Sequence, residues 1–136
     1  MPLTARIDWI VPFCDLDPLE ICWHGNYARY FEIARTALLQ HIDYDCPMMR
    51  ASGYSWPVIE LLIRYAKPLV YQQHIHVDAR LVEWENRLKI GYEILDAATG
   101  KRLTRGHTVQ VAVDMRTREM CFASPDVLCE KLKGHL

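Results

Sequence analysis

Residues 27–41 carry an unbroken helical period, and this stretch constrains the fold more than any other. Tyr27, Tyr30, Phe31, Ala34, Ala37, Leu38 and His41 fall on one broad arc, with Arg29, Glu32, Thr36 and Gln40 opposite. A helix with so wide an apolar arc must lie on an apolar surface, most naturally a sheet. The chain supplies strand-like segments on both sides. Ala5, Ile7, Trp9, Val11 and Phe13 alternate with polar residues, which predicts a strand over 5–13 with Pro12 near its end. After the helix, Ile59, Leu61, Ile63 and Tyr65 alternate, as do Ile75, Val77, Ala79 and Leu81, then Leu88, Ile90, Tyr92 and Ile94. The phase breaks at Val82 and Trp84, so a bulge is expected near Leu81-Val82. The final long strand is expected from Leu103 to Asp114, with His107, Val109, Val111 and Val113 in phase.

The expected order is strand, long helix, then four or five consecutive antiparallel strands. That is α+β, one helix packed on a curved antiparallel meander. One short helical turn is expected at 48–51, and a last helix with Ser124 as N-cap and Pro125 at N1. At 136 residues the chain reads as one domain, 1–136. A net charge of −1 argues against a nucleic-acid binder and gives no attraction to anionic membranes. The five cysteines are odd in number and form no CxxC pair, which fits a reducing compartment. Residues 1–6 lack the apolar core of a signal peptide, and no apolar run reaches membrane-spanning length. A cytoplasmic protein without membrane insertion is expected.

Unusual chemistry is concentrated between Phe13 and Tyr27. Asp15 and Asp17 stand at i and i+2, Pro18 follows, and His24-Gly25-Asn26 leads into the helix. A carboxylate beside a helix start can act as nucleophile or general base, while the free amides of the first turn hold developing negative charge. The same residues also serve simply to cap turns, and Asn26 suits the N-cap of the long helix. Glu32 lies on the polar side of the helix with Arg29 and Thr36, as an ion-pairing residue would. Cys22 reads as a small buried residue. His74 and His76 share one strand face without a third ligand in view, so no metal site is expected. No glycine-rich phosphate loop is present.

The run Asp15-Leu16-Asp17-Pro18, Ile21-Cys22-Trp23-His24-Gly25-Asn26-Tyr27 and Tyr30-Phe31-Glu32-Ile33-Ala34-Arg35 resembles the signature of the 4-hydroxybenzoyl-CoA thioesterase family, including its Tol-Pal-associated acyl-CoA thioesterases. Tyr65-Ala66-Lys67-Pro68 with Tyr71, Glu83-Trp84, and Val111-Ala112-Val113-Asp114 extend the likeness along the chain. The resemblance implies a hot-dog fold, in which an antiparallel sheet wraps a long central helix. It implies hydrolysis of an acyl thioester, of CoA or of an acyl carrier protein, to free acid and thiol. Asp17 would supply the carboxylate and the His24 backbone N–H would polarise the carbonyl. The His24 side chain could orient the substrate or share a proton with Asp17, or the backbone alone could matter.

Asn26 and Tyr27 are candidates to touch the acyl group or the loop, against plainer readings as helix cap and core residue, and Arg87 with Lys89 would meet the phosphates. The family's active sites form at a dimer interface, so a homodimer or homotetramer is implied. No cofactor is needed, since CoA or phosphopantetheine enters as part of the substrate. Two departures stand out. Leu19-Glu20 replaces the glycine common after the Asp-Pro pair, and the basic cluster after Glu83-Trp84 is thinned to Glu85-Asn86-Arg87-Leu88-Lys89. They leave open a non-catalytic acyl or carrier-protein binding module, and a hydroxyacyl-thioester dehydratase with His24 as base is a further alternative. Trp23, Tyr27, Tyr54 and Trp56 allow either an aromatic or a long acyl chain.

Overall fold

The structure is a computed structural model that describes residues 3–136. The elements are β1 (Thr4–Ile10), α1 (Tyr27–Gln40), α2 (Cys46–Ala51), β2 (Tyr54–Ser55), β3 (Val58–Tyr65), β4 (His74–Glu83), β5 (Leu88–Asp96), β6 (Arg102–Gln110), β7 (Val113–Asp114) and α3 (Asp126–Leu132). Five strands form one antiparallel sheet in the order β1-β4-β5-β6-β3, and β2 pairs with β7 apart from it. This is the α+β, hot-dog arrangement of a sheet against one long helix. No helix among the described residues is long and apolar enough to cross a membrane.

The helical period of residues 27–41 is realised in α1. Tyr27, Tyr30, Phe31, Ala34, Leu38 and Leu39 are buried against the sheet. Phe31 stacks flat on Tyr92 of β5, with ring centroids 4.4 Å apart. The backbone approaches closely at Gly106 of β6, where a Cβ would lie 2.8 Å from the Phe31 ring and 2.1 Å from the Leu62 carbonyl oxygen. Ile75, Val77, Ala79 and Leu81 of β4, with Leu88, Ile90, Tyr92 and Ile94 of β5, bury the inner face as their alternation predicts. The bulge falls between Leu81 and Glu83.

Several expectations are corrected. The sheet is not a simple meander: β3 crosses to the far edge and pairs with β6, not β4. Ile59, Leu61 and Tyr65 are therefore exposed at an open edge, 58%, 46% and 46% respectively. His41 is exposed at the helix end, outside the core. Phe13 leaves the first strand, which stops at Ile10, and sits exposed in a 3-10 turn. The last long strand ends at Gln110, so Val111 and Val113 do not continue the phase of His107. Asn26 occupies the N-cap position of α1 without a capping bond, because a 3-10 turn over His24–Asn26 already starts the helix. Ser124 does not cap α3. Pro125 takes that position, and the Ser124 hydroxyl donates to the Trp84 carbonyl.

Candidate active site

The segment between β1 and α1 is a small hairpin on a clamped base. A 3-10 turn over Phe13–Asp15 leads into it, and an antiparallel bridge between Leu16 and Cys22 closes it. Inside it, the Asp17 N–H donates to the Ile21 carbonyl at 2.9 Å and the Glu20 N–H to the Asp17 carbonyl at 2.9 Å. The Cys22 N–H donates to the Leu69 carbonyl at 2.8 Å, which ties the hairpin to the segment before β4. Glu20 has φ +66°, the left-handed region that glycine adopts at least cost. The residue that replaces the family's usual glycine region thus holds a glycine-like backbone.

Asp17 sits at the tip, partly buried. One carboxylate oxygen accepts the Leu19 N–H at 2.8 Å, and the other has no hydrogen bond among the described residues. The turn-capping and chemical readings of Asp17 are therefore compatible: half the carboxylate orders the turn and half is free.

Asp15 holds the base and is 4% exposed. Its carboxylate accepts from the Tyr30 hydroxyl at 2.5 Å and from Arg29 Nη2 at 2.5 Å. Its carbonyl accepts from the Trp23 N–H at 2.9 Å and from Asn26 Nδ2 at 2.8 Å. Burial pushes the Asp15 carboxyl up, but the bonds from Tyr30 and Arg29 outweigh it and leave its pKa below the ordinary carboxylate value. Burial, then the Asp15 carboxylate, push the Tyr30 hydroxyl up, so it stays a neutral donor. Cys22 is buried and its thiol is pushed up by burial, which leaves it a packing residue.

The helix start faces this hairpin. His24 and Gly25 are the first residues of the 3-10 turn that runs into α1, and neither amide has a hydrogen-bond partner among the described residues. The Trp23 ring packs over Gly25, where a Cβ would lie 2.4 Å from it, so a side chain there would displace the ring. The Tyr65 hydroxyl, from the β3 edge, donates to the His24 carbonyl at 2.7 Å. Its ring also meets Tyr27 edge-on at 4.7 Å. Nothing in the local sequence signals that Tyr65 braces His24, because 41 positions separate them.

The remaining candidates divide. Asn26 bridges the hairpin base to the helix, donating to Asp15 and accepting from Arg29 Nη2 at 3.2 Å. Tyr27 is buried under the loop, its hydroxyl accepts the Leu69 N–H at 3.3 Å, and burial pushes its pKa up to about 12. Arg87 is tied to Glu83 at 3.0 Å, and Lys89 stands between the buried Leu88 and Ile90 on the outer face of β5. Glu32 pairs with Arg35 at 3.7 Å. Tyr54 and Trp56 line a different cavity of about 410 Å³ on the flank of α1, beside Glu32, Arg35 and Gln110. His76 pairs with Asp8 at 2.6 Å, and no cluster of three metal-ligating residues occurs among the described residues.

The helix start, with its first-turn amides unpartnered among the described residues, and the hairpin that carries the half-free Asp17 carboxylate are tied together through Asp15 and Asn26. The chain belongs to the thioesterase-like superfamily, whose profile matches residues 11–132. A Bacillus subtilis protein named as a candidate acyl-CoA thioesterase, YneP, is 28% identical over 105 residues, covering 76% of this chain and 75% of that one. Two solved structures share the fold. One is a DHNA-CoA thioesterase from Staphylococcus aureus, with TM-score 0.80 and 23% identity over 88% of this chain and 80% of that one. The other is a 1,4-dihydroxy-2-naphthoyl-CoA thioesterase from Synechocystis, with TM-score 0.85 and 16% identity over 96% of both chains. The similarity thus reaches across the superfamily and is not confined to 4-hydroxybenzoyl-CoA or Tol-Pal-associated enzymes.

Proposed function

We propose that this chain hydrolyses an acyl-CoA thioester to the free acid and CoA, with Asp17 as its essential carboxylate. One observation carries the reading: an Asp17 oxygen without a partner stands on a hairpin clamped against a helix start whose His24 and Gly25 amides are also free. The positive end of α1 suits the oxyanion that forms when the thioester carbonyl is attacked. Asp17 acts either by attacking that carbon, so that the C–S bond breaks, the CoA thiolate leaves and water cleaves the resulting mixed anhydride, or by taking a proton from the attacking water as the thiolate is expelled. The His24 amide polarises the carbonyl, and no cofactor is required beyond the thiol carrier of the substrate.

The functional unit in this reading is a cytoplasmic homodimer, itself able to pair into a tetramer. The exposed apolar edge of β3, with Ile59, Leu61 and Tyr65, supports it: an open strand edge of this kind is a template for pairing with a second chain. All five cysteines are free, in keeping with a reducing compartment. A sedimentation run at micromolar concentration should give at least twice the 15.9 kDa chain mass. A monomer would remove this part of the reading.

The catalytic part is tested by thiol release from short, long and aromatic acyl-CoA esters, with Asp17→Asn beside the wild type. Loss of the carboxylate should slow turnover at least about 100-fold while the fold persists. Wild-type turnover that survives the substitution would refute the assignment. Inactivity on every CoA ester together with turnover of acyl-carrier-protein esters would move the substrate to the carrier-protein class.

A further inference from the structure

The phosphate contacts implied for the β4–β5 turn have no free arginine there, since Arg87 is held by Glu83. Unpaired arginines stand instead on the outer face of the sheet, away from α1. The strand registers place Arg64 of β3 directly opposite Arg105 of β6, in a row that continues through Glu93 and Asp78 to Arg6. The adjacent row runs Leu62, His107, Gly91, Arg80. Asp78 is taken by Arg6 in two bonds of 2.6 and 2.9 Å, and Glu93 by Arg102 at 3.5 Å. His107 is taken by Glu60 at 2.7 Å. Arg64, Arg80 and Arg105 have no carboxylate within 4.0 Å among the described residues.

Like charges directly opposite on neighbouring strands destabilise a sheet, so the Arg64–Arg105 pair costs stability unless an anion lies between them. Gly91 leaves the floor of the face bare. Arg80 reaches across it, its Nη2 3.7 Å from where a Gly91 Cβ would stand, an ordinary contact distance. These residues share an open hollow of about 830 Å³, the size range of a small-ligand site, lined by five arginines against two carboxylates. Planar guanidinium groups match phosphate oxygens in pairs, which makes arginine the residue suited to phosphoester anions.

We propose that the outer face of the sheet, at Arg64, Arg80 and Arg105 over Gly91, is a binding site for a nucleoside diphosphate group. The nucleotide end of an acyl-CoA carries that group, and naming it as the occupant rests on the thioesterase reading. A free nucleotide offers the same chemistry. The charge and shape of the site depend on neither source.

Calorimetric titration of the full-length protein with ADP, free CoA and pantetheine tests the site without requiring turnover. ADP and CoA should bind, pantetheine should not, and affinity should fall as salt rises. Arg64→Ala with Arg105→Ala should weaken ADP and CoA at least 10- to 100-fold. Arg116→Ala with Arg118→Ala, which removes the same charge from a distant turn, should leave affinity within about twofold. The double variant should melt no lower than the wild type, because it relieves a repulsion.

If the double variant also raises KM for an acyl-CoA at unchanged kcat, the bound group is the substrate's own nucleotide. If it loses ADP binding with KM unmoved, the site serves a free nucleotide. Absence of ADP and CoA binding, or binding that the double variant leaves intact, overturns the proposal. A protein inactive on all thioesters that still binds ADP through these arginines would sink the catalytic reading and keep the site.

Discussion

Replacing Asp15 by alanine should unclamp the hairpin that carries Asp17, and the structure sets the size of the effect. The side chain is almost fully buried and receives two charge-assisted bonds, from Tyr30 and Arg29, both at 2.5 Å. Tyr30 is fully buried, so its hydroxyl would lose its strong acceptor and incur roughly 1–3 kcal/mol of unmet desolvation. Arg29 is half exposed and can turn to water, which puts its share at the low end of the range for such bonds, about 1–1.5 kcal/mol. With the partial cavity added, Asp15→Ala should cost about 3–5 kcal/mol, a third or more of a typical domain's stability.

Urea unfolding followed by tryptophan fluorescence measures this directly. Tyr30→Phe should cost less, about 1–2 kcal/mol, because the carboxylate keeps Arg29. The double variant should show a coupling of about 1–3 kcal/mol. A loss below about 1 kcal/mol for Asp15→Ala, or additive effects in the cycle, would refute the clamp. The pH dependence carries a sign. The folded Asp15 carboxyl has a pKa below its unfolded value of 3.8, so its contribution is complete above that value and is lost as pH falls through the lower, folded one. The stability gap between wild type and Asp15→Ala should therefore be constant from neutrality to about pH 5 and close under stronger acid.

Gly106→Ala should be among the costliest small substitutions in the chain, more than about 2 kcal/mol by urea unfolding, because its Cβ would meet a carbonyl oxygen and the Phe31 ring. Glu20→Gly should stabilise the protein by about 1 kcal/mol in the same assay, since the left-handed backbone at Glu20 strains a residue that carries a Cβ and not glycine. A destabilised Glu20→Gly would show that the glutamate side chain makes a compensating contact.

The helix, the inner faces of β4 and β5, and the bulge after Leu81 were legible because each depends on a local period that burial on one face imposes. Asp15 and Asp17 stand out in the sequence as a pair, but the burial of Asp15 under Tyr30 and Arg29 does not, because it depends on how the hairpin base docks on α1. The place of β3 was not. Its alternation marks a strand, but period two carries no information about which neighbour it joins, and Ile59 and Leu61 look the same whether they face a core or a second chain. Tyr65 was hidden for the same reason, since its bond to His24 exists only once β3 has crossed the sheet. Arg64 and Arg105 are unremarkable charges in sequence and become neighbours only through the β3–β6 register.

The placement of β3 also bears on how the chain matures as it is made. Its partner, β6, follows it by about 40 to 50 residues, whereas β4, β5 and β6 pair in succession through short turns. Loop closure of that length delays the pairing in folding, and at 5–20 residues per second synthesis alone imposes a wait of roughly 2–10 s. During that interval residues 58–65, with Ile59, Leu61, Leu62 and Ile63 in a row of apolar side chains, have no strand to join. Nascent chains of this protein are thus most exposed to wrong pairing with one another along β3, the strand whose outer edge stays open in the finished sheet.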